Sequence, residues 1–206
     1  MEARRDASSP EGQQLPASPA LHRAILPYPA HLESAVVTRD AAALRIRPIR
    51  PGDASMEAAF VGALSDETRY RRFFSGAREL TPEAIARFTQ VDYDREMALV
   101  ALHSSPGGRE SIVAVARYVR EPDPLTAEFA VVVADAWQGR GLGTLLMDRL
   151  ERCAGDAGIG TLRGIILASN APMLALMRAR HYNLRPASGD PTLFDASIPL
   201  SRKDGP

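Results

Sequence analysis

Apolar and polar positions along this chain fall into patches of regular spacing, and the period changes more than once. Residues 44–50, Leu44-Arg45-Ile46-Arg47-Pro48-Ile49-Arg50, alternate apolar and basic side chains, the period-two pattern of a half-buried strand. Pro48 has no N–H to give to a ladder, which predicts an edge or a bulge there. Pro51-Gly52-Asp53 reads as a turn, with Asp53 as the cap of a helix to about residue 64. A second helical run follows over 65–74. A third opens with Thr81 as cap and Pro82 in its first position, and ends near Thr89. Strands then take over: 97–102, 112–119 and 127–133 are apolar, β-rich runs separated by Gly/Pro turns, which predicts an antiparallel meander. The last third is mixed. Leu142, Leu145, Leu146, Leu150 and Cys153 lie near helical spacing over 141–157, and Gly158 and Gly160 end that helix. Residues 161–168 read as a strand, Asn170 caps a helix to about Arg180, and a last strand runs near 193–198. The sum is an α/β fold with a mixed sheet, helices early and late, and a meander between.

Residues 1–43 follow no sustained period. Pro10, Pro16, Pro19, Pro27 and Pro29 crowd a polar stretch rich in Ser and Ala, which predicts disorder to about Pro19 and a loosely docked linker after it. The expected organisation is a tail and linker over 1–43, one domain over 44–200, and a C-terminal tail over 201–206.

Charge and cysteine narrow the function. With 25 basic and 25 acidic residues the net charge is zero, so nothing marks nucleic acid or a membrane surface as the main partner. The longest apolar runs, such as 129–134, are far too short to span a bilayer. The single cysteine, Cys153, excludes an internal disulfide and fits a reducing compartment. Arg4 and Arg5 precede no apolar segment, and Glu2, Asp6 and Glu11 are too acidic for a transit peptide, so a cytoplasmic location is expected. His22, His31, His103 and His181 are scattered without ligand spacing, and no metal is predicted.

The chemistry concentrates in one segment, where the strand Glu128-Phe129-Ala130-Val131-Val132-Val133 runs into Gln138-Gly139-Arg140-Gly141-Leu142-Gly143-Thr144 and straight on into a helix. Amides at a helix start have no partners inside the helix, and with the helix dipole they favour phosphate. Gly139, Gly141 and Gly143 carry no Cβ, so a diphosphate can approach the backbone closely, and Arg140 adds a charge. Two familiar phosphate motifs do not fit. A Walker A loop needs a lysine that is absent, and the dinucleotide fingerprint needs a third glycine where Thr144 stands and an acid at the end of the next strand.

Gln138-x-x-Gly141-x-Gly143 resembles the acetyl-CoA turn of the GNAT superfamily of N-acetyltransferases, and the resemblance extends over about 44–200. More narrowly, residues 44–53, Arg69-Tyr70-Arg71-Arg72-Phe73-Phe74-Ser75 and residues 90–99 are similar to the C-terminal domain of bacterial protein lysine acetyltransferases of the Pat type. Such enzymes often carry a large acyl-CoA-synthetase-like domain ahead of it, of which 28–40 resembles only the linker. The resemblance implies the GNAT fold: a mixed, mostly antiparallel sheet flanked by helices, with its fourth strand splayed from its fifth. It implies acetyl-CoA in that gap as co-substrate, with pantetheine amides along Val131, Val132 and Val133. The diphosphate would lie on Gln138 to Thr144, with Asn170 and Met173 on the other side. It implies Glu128 as general base, and partial burial would raise its pKa into a useful range. A β-bulge expected in the fourth strand leaves open which face Glu128 takes. Val131 or a neighbour would offer an N–H to the oxyanion. Acceptor pockets would form near 60–74 and 188–194. The expected reaction is acetyl transfer to an amine, a protein lysine first, with a small-molecule amine or a silent acetyl-CoA sensor as rivals.

Other residues have plainer readings. Cys153 is placed as a buried thiol, Tyr182 as core or pocket wall rather than general acid, and Trp137 as packing. The Arg69 to Arg72 run is placed as a solvated helix face, and Asn170 fits an ordinary helix cap.

Overall fold

Apolar side chains on both faces of the central strands set the architecture. The structure, a computed structural model, describes residues 26–74 and 80–201. The disorder expected before Pro19 and most of the C-terminal tail lie outside these residues. In chain order the strands are β1 (Ser34–Val37), β2 (Ala43–Pro48), β3 (Glu96–Ser104), β4 (Glu110–Arg120), β5 (Thr126–Val133), β6 (Thr161–Leu167), β7 (Asn183–Ala187) and β8 (Asp190–Pro199). The helices are α1 (Ala54–Ala63), α2 (Asp66–Phe73), α3 (Pro82–Thr89), α4 (Leu142–Asp156) and α5 (Ala171–Ala179). All strands share one sheet in the order β1-β2-β3-β4-β5-β6-β8-β7, antiparallel throughout except for β5 and β6.

Two cores sandwich the sheet. Met97, Leu99 and Ala101 on β3 face one core with Leu142, Leu146 and Leu150 of α4, whereas Ala98, Val100 and Leu102 face the other with Phe60 and Val61 of α1. Burial on both faces is why β3 and β4 read as continuous apolar runs rather than alternating ones.

Two strands escape the sequence pattern. β1 lies inside the stretch predicted as a loose linker, yet pairs with β2 from Ser34↔Ile46 to Val37↔Ala43. β7, unpredicted, pairs with β8 and contains Pro186. Both are outermost strands with one free edge, and edge strands bury too little side chain to show a strong period. The edge expected at Pro48 is present in a local form. The Ile49 N–H donates to Ala98 O on β3, so Pro48 faces the opposite side, beyond where β1 stops at Ile46.

Asp53 departs from its predicted role, since its side chain makes no capping bond to α1. Instead it accepts two bonds from the Arg47 guanidinium, at 2.6 and 2.7 Å, and a third from the Arg50 N–H at 2.8 Å. Both side chains are buried. Burial alone pushes the Asp53 carboxyl up, but the Arg47 bonds outweigh it and hold the group below the usual carboxylate range. A depressed pKa contributes stability that is present above the unfolded value, about pH 4, and lost as pH falls through the folded value. Asp53→Asn, which leaves Arg47 buried and unpaired, is expected to destabilise the fold by about 3–5 kcal/mol at neutral pH. Urea unfolding measured from pH 7 downward checks this: the gap between wild type and variant should narrow below about pH 4.

Candidate active site

The site begins where β5 and β6 part. They pair only over Thr126↔Thr161, Ala127↔Leu162 and Glu128↔Arg163. Beyond that, β5 stays on β4 while β6 stays on β8, as the resemblance implied. Gly164 stands at the fork because a Cβ there would sit 2.9 Å from the Phe129 ring. That ring in turn meets Tyr182 edge-on at 5.3 Å.

The open edge of β5 carries unused backbone. The Ala134 N–H donates to Val113 O on β4. Strand alternation therefore turns the polar groups of Val132 toward β4 and those of Val131 and Val133 toward the gap. The Val133 carbonyl accepts from the Gln138 side chain at 3.1 Å. The bulge expected in this strand is absent, since the β4–β5 register runs unbroken from Ala114↔Val133 to Arg120↔Ala127. Glu128 thus shares a face with Ala130 and Val132, opposite Phe129 and Val131, which pack on the α4 core.

At the end of β5 a single turn, Asp135–Trp137, leads into the glycine loop. Gly139 and Gly141 adopt φ of 76° and 90°, the left-handed region that favours glycine. The first bond of α4 runs from the Leu145 N–H to Gly141 O, at 3.1 Å. Among the described residues, no protein acceptor takes the amides of residues 139–144. Here the loop and the dipole of a 15-residue helix combine as a cradle for anionic oxygen.

Helix α2 roofs the gap, and Asp135 ties it there. The Asp135 carboxylate accepts from the Ser65 N–H (2.9 Å), the Ser65 hydroxyl (2.7 Å) and the Thr68 hydroxyl (2.7 Å), while Thr68 accepts from Gln138 at 3.2 Å. Against the solvated face predicted for this helix, Arg69 is buried on Val61 O and Asp66, and Arg71 and Arg72 line the cleft. The reason is local: bonds to Asp66 and a carbonyl let a guanidinium go inside. Burial drives the Arg72 pKa down to about 10, with Arg117 adding repulsion and Glu57 and Glu128 opposing the fall.

Two adjoining cavities result. The larger, about 190 Å³, is lined by Val131, Val132, Val133, Gln138, Gly139, Gly141, Leu142, Gly143, Asn170 and Met173 from the predicted set, and by Thr68, Arg71, Arg72, Trp137, Pro172 and Leu176, which were not singled out as cofactor residues. Arg140 and Thr144 do not line it. Arg140 pairs with Asp40 at 2.8 Å and lies over the Trp137 ring. Glu128 lines the smaller cavity, about 60 Å³, together with Arg71, Arg72, Phe74, Val131 and Met173. Glu128 is exposed, so the burial on which its tuning was conditioned is absent. Asn170 caps α5 through a 3.2 Å bond from the Met173 N–H while facing the cleft. Residues 188–194, the other predicted acceptor region, line neither cavity.

The plainer readings mostly match the structure. Cys153 is buried, and burial pushes its thiol up to about 11. Tyr182 is core: its hydroxyl donates to Glu151 at 2.8 Å, and burial first, then Glu151, raise its pKa. Trp137 packs on His103 at 4.9 Å but also forms part of the cleft wall. Among the described residues no cluster of three or more His, Cys, Asp and Glu side chains could hold a metal ion, and no helix is long and apolar enough to cross a membrane.

A strand edge opening onto a glycine cradle and a helix start agrees with comparisons against known proteins. Residues 64–182 match the acetyltransferase (GNAT) family, and the chain belongs to this family of acyltransferase enzymes. Within it the chain is related to Pat-type acetyltransferases. It is 34% identical over 128 residues to acetyltransferase PA5475 of Pseudomonas aeruginosa, covering 62% of this chain and 68% of that protein. It is 35% identical over 133 residues to acetyltransferase Pat of Mycolicibacterium smegmatis, covering 64% of this chain but 39% of that longer protein. The solved GNAT domain of S. lividans PAT superposes with a TM-score of 0.76 at 31% identity, over 84% of this chain and all of that one. The fold is also shared with YncA of Salmonella typhimurium, solved with acetyl-CoA, at a TM-score of 0.61 and 18% identity over 79% of this chain and 97% of that one.

The loop geometry makes a direct prediction. A Cβ at Gly141 would make the left-handed conformation already present there cost about 1–2 kcal/mol and would meet the Arg39 side chain at 3.3 Å. Gly141→Ala is expected to let the free loop relax out of that conformation, so that binding of coenzyme A must restore it and its affinity falls about tenfold, the factor that about 1.4 kcal/mol represents. Calorimetric titration with coenzyme A alongside a thermal melt checks it; affinity should fall while the melt stays cooperative.

Proposed function

We propose that this enzyme transfers the acetyl group of acetyl-CoA directly to the ε-amine of a protein lysine, with Glu128 as general base. One observation carries the reading: the two cavities adjoin at Val131, Arg71, Arg72, Asn170 and Met173, with diphosphate-type donors at one end and a carboxylate at the other. A linear thioester laid along the open edge of β5 would pair its amides with Val131 and Val133, as an added strand does. Its phosphates would rest on residues 139–144, placing the acetyl group between Val131 and Glu128.

The steps follow from these positions. Glu128 accepts a proton from the lysine ammonium, directly or through a water, and an exposed carboxylate can pass that proton on to solvent. The neutral amine attacks the thioester carbonyl and the N–C bond forms. The gap-facing Val131 N–H stabilises the oxyanion. The C–S bond then breaks, coenzyme A departs as a thiolate, and the former lysine nitrogen gives its second proton to water or to the departing sulfur, leaving a neutral amide. A thiolate needs little help from an acid, so the core placement of Tyr182 is no obstacle. No covalent enzyme intermediate is required.

The acceptor assignment rests on the likeness to Pat-type enzymes and on shape. A recess of about 60 Å³ admits one slim aliphatic amine. Glu128→Gln is expected to lower the turnover rate by about 10² to 10⁴ with coenzyme A affinity unchanged. The assay is thiol release from acetyl-CoA against a panel of purified proteins and free amines. A rate within threefold of wild type removes Glu128 as base. Transfer to free amines only moves the acceptor to small molecules, and cofactor binding without thiol release marks a sensor.

A further inference from the structure

Beside the glycine loop stands a residue from outside the matched family region. The tip of the β1–β2 hairpin lies against the loop, and its geometry is fixed by a local network. The Thr38 N–H donates to Ala42 O at 3.0 Å, the Ala41 N–H to Thr38 O at 3.0 Å and the Ala42 N–H to the Thr38 hydroxyl at 3.0 Å. The Thr38 hydroxyl donates to Asp40 at 2.5 Å, and Asp40 pairs with Arg140 at 2.8 Å, fastening the tip to the loop. Between these anchors the Arg39 side chain runs along Gly141. Its Nε would be 3.3 Å, and its Cδ 3.7 Å, from a Cβ at that position.

The charges around the loop are unequal. Asp40 already partners Arg140, whereas Arg39 is exposed and, among the described residues, has neither a hydrogen bond nor an ion pair. A guanidinium without a carboxylate thus stands against Gly141, amid amides that no protein acceptor takes. Guanidinium and phosphate match in charge and in bidentate geometry. Glycine at 141 also leaves Arg39 room beside the loop, since a Cβ there would crowd its Nε at 3.3 Å.

We propose that Arg39, beside the glycine loop and outside the residues that line the cavity, binds a phosphate of coenzyme A and makes the N-terminal hairpin part of the cofactor site. This rests on reading the cleft as the acetyl-CoA site. The contact is with the diphosphate or with the 3′-phosphate of the adenosine, which share one chemistry.

The test is calorimetric titration of the full chain and of Arg39→Ala with coenzyme A, 3′-dephospho-coenzyme A and acetylpantetheine, which has no diphosphate. One exposed charge contact predicts a rise in Kd for coenzyme A of roughly fivefold in the variant. Acetylpantetheine affinity and the melting temperature should be unchanged, and Arg39→Lys should recover part of the loss. A loss confined to coenzyme A assigns the 3′-phosphate, and an equal loss with the dephospho form assigns the diphosphate. Affinities within twofold of wild type for both, or an equal loss for acetylpantetheine, overturn the role of Arg39 alone. Failure of the wild type to bind coenzyme A removes the reading of the cleft, and this proposal with it.

Discussion

The constraint on which the site depends is the short parallel seam between β5 and β6. Three residue pairs join the strands, and then each follows its antiparallel neighbour. Had pairing continued, Val131 and Val133 would have their backbone groups in a ladder and no cleft would exist. At the fork, Phe129 comes so near Gly164 that only a residue without Cβ fits. Apolar packing below thus enforces a polar opening above, because buried backbone groups left without partners are costly.

Polar ties then close the opening from both sides. Asp135 holds α2 over the gap through Ser65 and Thr68. Its carboxyl is raised by burial, but the Ser65 and Thr68 bonds prevail and keep it below the ordinary range. The tie therefore works with a charged acceptor at neutral pH. On the other side Asn170 caps α5 and fixes the opposite wall. Inward arginines on α2 then set a positive field between the cradle and Glu128.

Much of this was legible in the sequence. The meander, α4, β6 and α5 follow from periodicity and caps, because each buries one well-defined face. The glycine loop was legible because a strand running into three spaced glycines and a helix has few other uses. Three things were hidden. β1 and β7 are edge strands with weak patterns. The inward turn of Arg69 and Arg72 was hidden because charge alone reads as surface, although the Arg69 partners, Asp66 and Val61 O, lie nearby in the chain. Asp135 and Arg39 act only through contacts with segments 70 and about 100 residues away. The expectation of a bulge came from the family, and it fails because Phe129 and Val131 keep strict parity on the α4 core.

An unpaired strand edge is ordinarily an invitation to aggregation. The edge of β5 is different because it lies inside a slot only about 190 Å³ in volume, roofed by α2. The outer edges of β1 and β7 lie at the rims of the sheet, whereas this inner edge is recessed between α2 and the wall that Asn170 and Met173 form. A strand from another molecule therefore meets the rims first, and the recess is left to a ligand.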